Sequence, residues 1–458
     1  MQGIVAGVLA LWYALLMRPL KSLTFESVIR KLSACFLKIS EARVIERVKY
    51  SLHDTLMSGF AMMFFQHPSL LQFQERMKQK RGRCNLETIF RVKAVPSDTQ
   101  MRQILDEADP QALRKLLPKL FADVRRAGWA EQYKTTLPSG TDKGSYFTMP
   151  VDGMEYFHST KIECPGCLQK TDKKSGATDY SHCVVAATLV KAGAQRIFPL
   201  DVEEVRNTDG KAKQDCELNA GKRLLVRFRQ EHPQMPVIVG GDDLYSHEPF
   251  VQLLGVQRLR YVLVAKPESH QELFEWVEEL DRLGECEKGQ WHEGPACQRR
   301  FFEYRIARAV PLKAGGQVAV NFVEVWERDR HGKRLYHNSW VTDLEVDQEN
   351  VAVVVRIGRS RWKIENEQFN VHKNHGYELE HNYGHGEKNL SMVFYLLNLL
   401  AFVAHLILEL GDRLYQKCRQ QETLRETWHI LRTMMRTILY ESWQAMLLDF
   451  LDQAEASP

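Results

Sequence analysis

The chain has 458 residues and a formal charge of only +4, with 62 basic against 58 acidic side chains. Such a length holds two or three domains with buried cores, and the near-balance of charge excludes a uniformly basic nucleic-acid coat, so any polyanion-binding surface is local. Nine cysteines with no convincing secretory pattern point to a reducing, cytoplasmic setting.

In chain order, VAGVLALWYALLM at 5–17 is too short for an ordinary membrane span and lacks the leader and cleavage site of a signal peptide; it is expected as a buried helix or an extended start. Residues 1–140 read as a helical region. FESVIRKLSACFLKI, HDTLMSGFAMMFFQ, TQMRQILDEA and QALRKLLPKLFADVRRAG show apolar returns at three and four, and Pro96, Ser97 and Asp98 place an N-cap before a helix at 99. Basic clusters stand at 78–83 (KQKRGR), near 47 (RVKYS), at 211–214 (KAKQ) and at 298–302 (QRRFF); such runs are solvated faces unless a fold aligns them with a site.

Strands begin near 146. YFTMPVDGMEYF, HCVVAATLV and QRIFPLDV suit three adjacent strands, followed by a helix through DCELNAGKRLLVRFRQ and a strand PVIVGGD; residues 141–254 thus form the first part of an α/β domain. CPGC at 164–167 would grip a structural zinc through Cys164 and Cys167, completed by His182 or Cys183 with His158; His182 and Cys183 are strand neighbours that point to opposite sides, which leaves His182 as the named partner. The alternative is a tight turn with free thiols.

Residues 255–350 read as a β-rich insertion. FEYRIARAV, VAVNFVEVWERD and RLYHNSWVTDL are strands turning around Asp329 to Lys333. Residues 351–412 return to the α/β domain, with Arg361, Glu365 and Lys373 along one face of a helix, Trp362 and Ile364 in the core, and His381 and His385 in the loop beyond. LSMVFYLLNLLAFVAHLILEL at 390–410 is near spanning length, but Asn398 and His405 interrupt it, and a core helix under the sheet is expected rather than a membrane contact. Residues 413–458 form a helical tail.

The chemistry-bearing residues are Asp152 in VDGMEYF, Asp242 at the end of PVIVGGDDLY, and Glu365 in RWKIENEQFNVHK. Two acids close strands and one sits on a helix, so a fold can gather them despite their distance along the chain. Hard divalent cations take oxygen ligands, and two of them a few ångströms apart activate an attacking hydroxyl and stabilise the leaving oxygen of a phosphodiester. Asp242 is preferred to Asp243, since successive residues leaving a strand face opposite ways.

These stretches, with PSLLQFQERM, VPSDTQMRQILD, KQDCELNAGKRLL and GYELEHNYGHG, resemble the bacterial insertion-sequence transposases of the DDE type, over residues from about 50 to about 410. The resemblance implies an RNase H-like catalytic core interrupted by the β-rich insertion. Asp152, Asp242 and Glu365 would hold two Mg²⁺ or Mn²⁺ ions, Arg361 and Lys373 would contact phosphates, and Trp326 or Trp340 would stack on a displaced base. The family's signature is Tyr, Arg, Glu, Lys; here Gly358 takes the place of the Tyr and His372 that of the Lys, with Lys373 next to it. The implied activity is binding of terminal inverted repeats and cut-and-paste transfer into target double-stranded DNA by a homodimer in a synaptic complex. The same acids would serve a nuclease of this fold without strand transfer, and a DNA-binding remnant would keep the fold without the chemistry.

Overall fold

The computed structural model describes residues 22–41, 43, 48–67, 69–207, 216–381 and 383–455. The apolar 5–17 segment and the basic KAKQ at 211–214 lie outside these described residues. The chain divides into two compact units, one within Met1–Ala130 and His372–Pro458, the other Glu131–Val371. This differs from the five-segment reading of the sequence. The tail and the second half of 351–412 belong with the N-terminal helices, because their apolar faces are buried there.

Glu131–Val371 is a mixed α/β unit built on one large sheet. Its strands are β1 (Lys134–Leu137), β2 (Gly144–Ser159), β3 (Leu168–Thr171), β4 (Thr178–Leu189), β5 (Phe198–Val205), β6 (Val237–Gly241), β7 (Arg260–Val264), β8 (Glu287–Glu293), β9 (Arg300–Pro311), β10 (Ala319–Arg328) and β11 (Arg334–Thr342). β5 and β2 flank β4 antiparallel, while β6 lies parallel to β2 and β7 parallel to β6. β6, VIVGG, is buried at every position, as a central strand covered on both faces must be. The helix Glu217–Glu231 packs on β4 and β5, and Val351–Arg359 packs on β1, β7 and β10.

The 255–350 segment is no separate body. β7 is part of the parallel centre, and the antiparallel meander β8 to β11 continues the same sheet, since β11 pairs with β7. Its inward residues Ile306, Val323, Val325 and Trp340 share one core with Ile238, Val354 and Ile357. That continuity makes the sheet a rigid support for side chains at the ends of β2 and β6.

The other unit is helical. Ser97 accepts from the Gln100 N–H and caps the helix Asp98–Asp106, where Pro-Ser-Asp placed a start. The helix Leu390–Gly411 has the length and apolar composition of a membrane span, but nearly all of it is buried. It packs along Leu52–Phe64 within the helical unit, whereas the sequence suggested a place in the sheet unit. His405 is fully partnered, its ring 2.6 Å from Tyr377 Oη and 3.0 Å from Phe64 O, while Asn398 Nδ2 donates to Tyr377 O at 2.7 Å and its Oδ1 is buried with no partner among the described residues. The C-terminal segment closes on the N-terminal helices through Asn85, which donates to Met435 O and Ile438 O and accepts from Tyr440 N–H. Stacking of Phe25 on Trp443, centroids 4.3 Å apart, seals that contact.

Candidate active site

Sheet register brings the first two acids side by side. β2 and β6 run parallel with Pro150 opposite Gly240, so two residues further on Asp152, inside β2, and Asp242, just past the end of β6, stand on neighbouring strands at a spacing of about 4.8 Å. Asp152 is buried. Asp242 caps the short turn Asp243–Tyr245, its carboxylate accepting from the Leu244 N–H at 3.0 Å. Asp243 faces away: it accepts from the Lys266 N–H at 2.7 Å and from Ser269 Oγ, and so fastens a neighbouring loop.

Glu365 joins them through an arginine. Arg361 Nη1 donates to Asp152 Oδ2 at 2.8 Å and to Glu365 Oε1 at 2.5 Å. The helix Val351–Arg359 ends just before, and Ile364–Phe369 forms a π-helical turn rather than a regular continuation. A widened turn of this kind is often found at functional sites, and it breaks the simple face-counting that placed Arg361, Glu365 and Lys373 in one row. Ile364 is buried as expected, but Trp362 is exposed and not a core residue. Lys373 lies in the helical unit, where it pairs with Glu380 at 2.9 Å. His372 beside it is fully buried, and burial pushes its pKa down to about 3.

Sequence reasoning missed a fourth carboxylate. Glu217 opens the helix Glu217–Glu231 and accepts from Tyr245 Oη at 2.7 Å. Its carboxylate rests against Gly153, where any Cβ would collide with it. The signals were present in the sequence: a glycine directly after a strand acid, and an acid at a helix start. Neither is specific without the register that superposes them.

Burial dominates the electrostatics of the cluster. Burial raises the Asp152 pKa to about 7; Arg361 opposes this, while Glu365, Asp242 and Glu217 add to it. Burial likewise raises Asp242 and Glu217. Burial works against the Arg361 charge, yet Asp152 and Glu365 outweigh it and hold its proton more firmly. Asp152, Asp242 and Glu365 near one guanidinium, with Glu217 close to Asp152 and Asp242, form a hard-oxygen donor set of the kind that Mg²⁺ or Mn²⁺ takes. Asp152, Asp242 and Glu365 would hold the ions, with Glu217 behind Asp152.

A second donor cluster lies on the same sheet. Cys164 Sγ stands 3.8 Å from Cys167 Sγ, and His182 Nε2 is 3.4 Å and 3.6 Å from the two sulfurs. Ligands at ordinary Zn–S and Zn–N lengths and tetrahedral angles are separated by about 3.8 Å for S to S and about 3.5 Å for S to N. The three atoms therefore already have the spacing of zinc ligands, while Cys183 points elsewhere, paired opposite Glu155 and Val205.

The two tryptophans differ. Trp340 is fully buried in the core, so no base can reach it; this corrects its assignment to DNA contact. Its indole packs against Gly358, where a Cβ would sit 2.5 Å from Nε1. That contact leaves no room for a side chain at 358. Trp326 is half-buried, stacked on His337 with centroids 5.2 Å apart, in a cleft of about 800 Å³ that also holds Arg305 and Arg328. Compared with protein-family models and with curated proteins, the sequence matches none.

Proposed function

We propose that this chain is a DDE-type DNA transposase, a cytoplasmic enzyme of bacterial type that cuts and rejoins DNA at terminal inverted repeats. The observation that carries the reading is the gathering of Asp152 and Glu365 on Arg361, with Asp242 on the strand next to Asp152 and Glu217 against Gly153. The strand order β5, β4, β2, β6, β7, with β5, β4 and β2 successively antiparallel and β6 and β7 parallel to β2, supports an RNase H-like core.

In this reading Asp152, Asp242 and Glu365 would hold two Mg²⁺ ions, which would supply Lewis acidity toward a phosphodiester. Arg361 bridges Asp152 and Glu365 and favours their charged forms, and its guanidinium would serve as a donor to a substrate phosphate. Glu217, held by Tyr245, fixes the side of Asp152 away from substrate. Trp326 is the aromatic that a displaced base would meet, with a stacking contribution of about 1–3 kcal/mol. Cys164, Cys167 and His182 would hold a structural zinc at the start of the β3–β4 hairpin. The partners are the two terminal repeats and the target duplex, bound by a homodimer.

The test is Mg²⁺-dependent cleavage and joining of duplexes carrying the element's own ends, comparing the intact protein with Glu365→Gln. Loss of both steps in the variant is the expected result. Cleavage without joined products would make the protein a nuclease of the same fold, and binding without any cleavage would make it an inactive remnant.

A further inference from the structure

The helical unit carries a second site of opposite charge. On the helix Leu424–Thr437, Arg425, His429, Arg432 and Arg436 recur at intervals of four, three and four, which sets them on one face. The other face buries Trp428, Leu431, Met434 and Met435. The basic face looks into a cleft of about 780 Å³ whose opposite wall brings Arg76 from the helix Leu70–Lys78.

Basic residues on a protein surface ordinarily find carboxylates, and these do not. Among the described residues no carboxylate lies within ion-pair distance of Arg76, Arg425, Arg432 or Arg436, although Glu378 lines the same cleft and Glu426 lies near Arg432. Arg432 spends one nitrogen on Phe65 O and Gln66 O, at 2.9 and 3.3 Å, which fixes it in the wall. Arg436 Nε is buried with no partner. The guanidinium groups press on one another: burial, then Arg76, Arg425 and Arg436, make the Arg432 charge less favourable, and burial, then Arg436, does so for Arg76. His67 beneath them is driven to a pKa of about 3 by burial and by the same arginines. A fold keeps such mutually repelling cations together where an anion with several acceptor oxygens relieves them, and guanidinium forks match the oxygens of phosphate. The first turn of the helix, with Leu424 and Arg425 on the lining, adds the positive end of its dipole.

We propose that the cleft between Arg76 and the Arg425–Arg432–Arg436 face is a phosphate-binding site. On the transposase reading above, from which this step follows, its occupant is a backbone phosphate of duplex DNA, gripped away from the acids that cut. The site is a positioning device: its residues touch no reacting atom.

The experiment uses the full chain, as the intact protein and as the double variant Arg76→Gln with Arg425→Gln, both side chains outside the carbonyl bonds that hold Arg432. Two readouts are taken: the thermal midpoint in inorganic phosphate against chloride at matched ionic strength, and the salt dependence of binding to a duplex. The expected result is a phosphate-induced rise in the midpoint that the variant loses, duplex affinity at least about tenfold weaker, and a log–log salt slope shallower by about 1.8 for two lost contacts. Loss of the phosphate response with unchanged duplex binding would keep the phosphate site but assign it to a small phosphorylated compound. An equal phosphate response in both proteins would overturn the proposal. Asp152→Asn, carried alongside, is expected to keep phosphate and duplex binding while losing cleavage, so failure of the catalytic reading is seen separately.

Discussion

Arg361 Nη1 lies 2.8 Å from Asp152 Oδ2 although the two residues stand 209 positions apart in the chain. The contact ties the π-helical turn that carries Glu365 to the strand that carries Asp152. The guanidinium is a single positive charge beside Asp152, Glu365 and Asp242, and on the reading proposed above divalent ions would add the charge it lacks.

Glu217 is expected to matter through the metal rather than through substrate. Its carboxylate rests on Gly153 and is held by Tyr245, which makes it a neighbour that fixes its partners and adds to the local charge. Glu217→Gln should raise the Mg²⁺ concentration for half-maximal cleavage by about 10–100-fold, with the rate recovered at saturating metal. A rate that stays low at all metal concentrations would place Glu217 in direct contact with the reacting groups.

Gly358 and Trp340 form a fitted pair. A methyl at 358 would sit 2.5 Å from the indole nitrogen of a fully buried tryptophan. Gly358→Ala should therefore cost about 1–3 kcal/mol by overpacking. Trp340→Phe should recover part of that loss in the double variant, with a coupling of at least about 0.5 kcal/mol. Denaturant unfolding of the four proteins reads this directly, and simple additivity would contradict the packing account.

Three histidines make the helical unit acid-sensitive. His67, His372 and His405 are buried, and burial lowers each to about 3 from an ordinary 6.5. The folded state thus holds them neutral, while the unfolded chain protonates them below about 6.5. Unfolding takes up protons in that range, so stability is complete above 6.5 and falls as pH drops toward 5, by up to about 1.4 kcal/mol per pH unit for each histidine. Urea unfolding followed through Trp428 and Trp443, both buried in this unit, should show a midpoint that declines between pH 6.5 and 5. A flat midpoint would mean the rings are charged or exposed.

For the cysteine cluster, protein purified without chelator should hold one zinc per chain by elemental analysis, and Cys164→Ser should lose it. Removal should lower the thermal midpoint of the sheet unit. Metal-free protein of unchanged stability would leave a plain turn with two thiols.

Much of the architecture was legible because it rests on local rules. Ser97 after a proline reads as a cap and PVIVGGD as a strand, with Asp242 just past its end; Asp152, expected to close or follow a strand, lies inside β2. Register was the part that could not be read. Only the Pro150–Gly240 pairing sets Asp152 level with Asp242, and only the approach of helix Glu217–Glu231 to Gly153 reveals Glu217. Trp340 and Trp326 look alike in sequence, each on a strand of the meander; one faces the core shared with Ile357 and the other faces a cleft. The continuation of β7 into β11 was hidden for the same reason, since strand pairing is a long-range property. The helix Leu390–Gly411 was recognised as a core element but placed in the wrong core, because hydrophobicity says that a face is covered and not by what.

The central claim is that Asp152, Asp242 and Glu365 bind divalent metal together. The most direct test is a Mn²⁺ titration of the full chain by electron paramagnetic resonance, for the intact protein and for Asp152→Asn with Asp242→Asn. The account expects tight Mn²⁺ binding in the intact protein that is lost in the variant, whose phosphate response in the arginine cleft is unchanged. Mn²⁺ binding of equal stoichiometry and affinity in both proteins would contradict it.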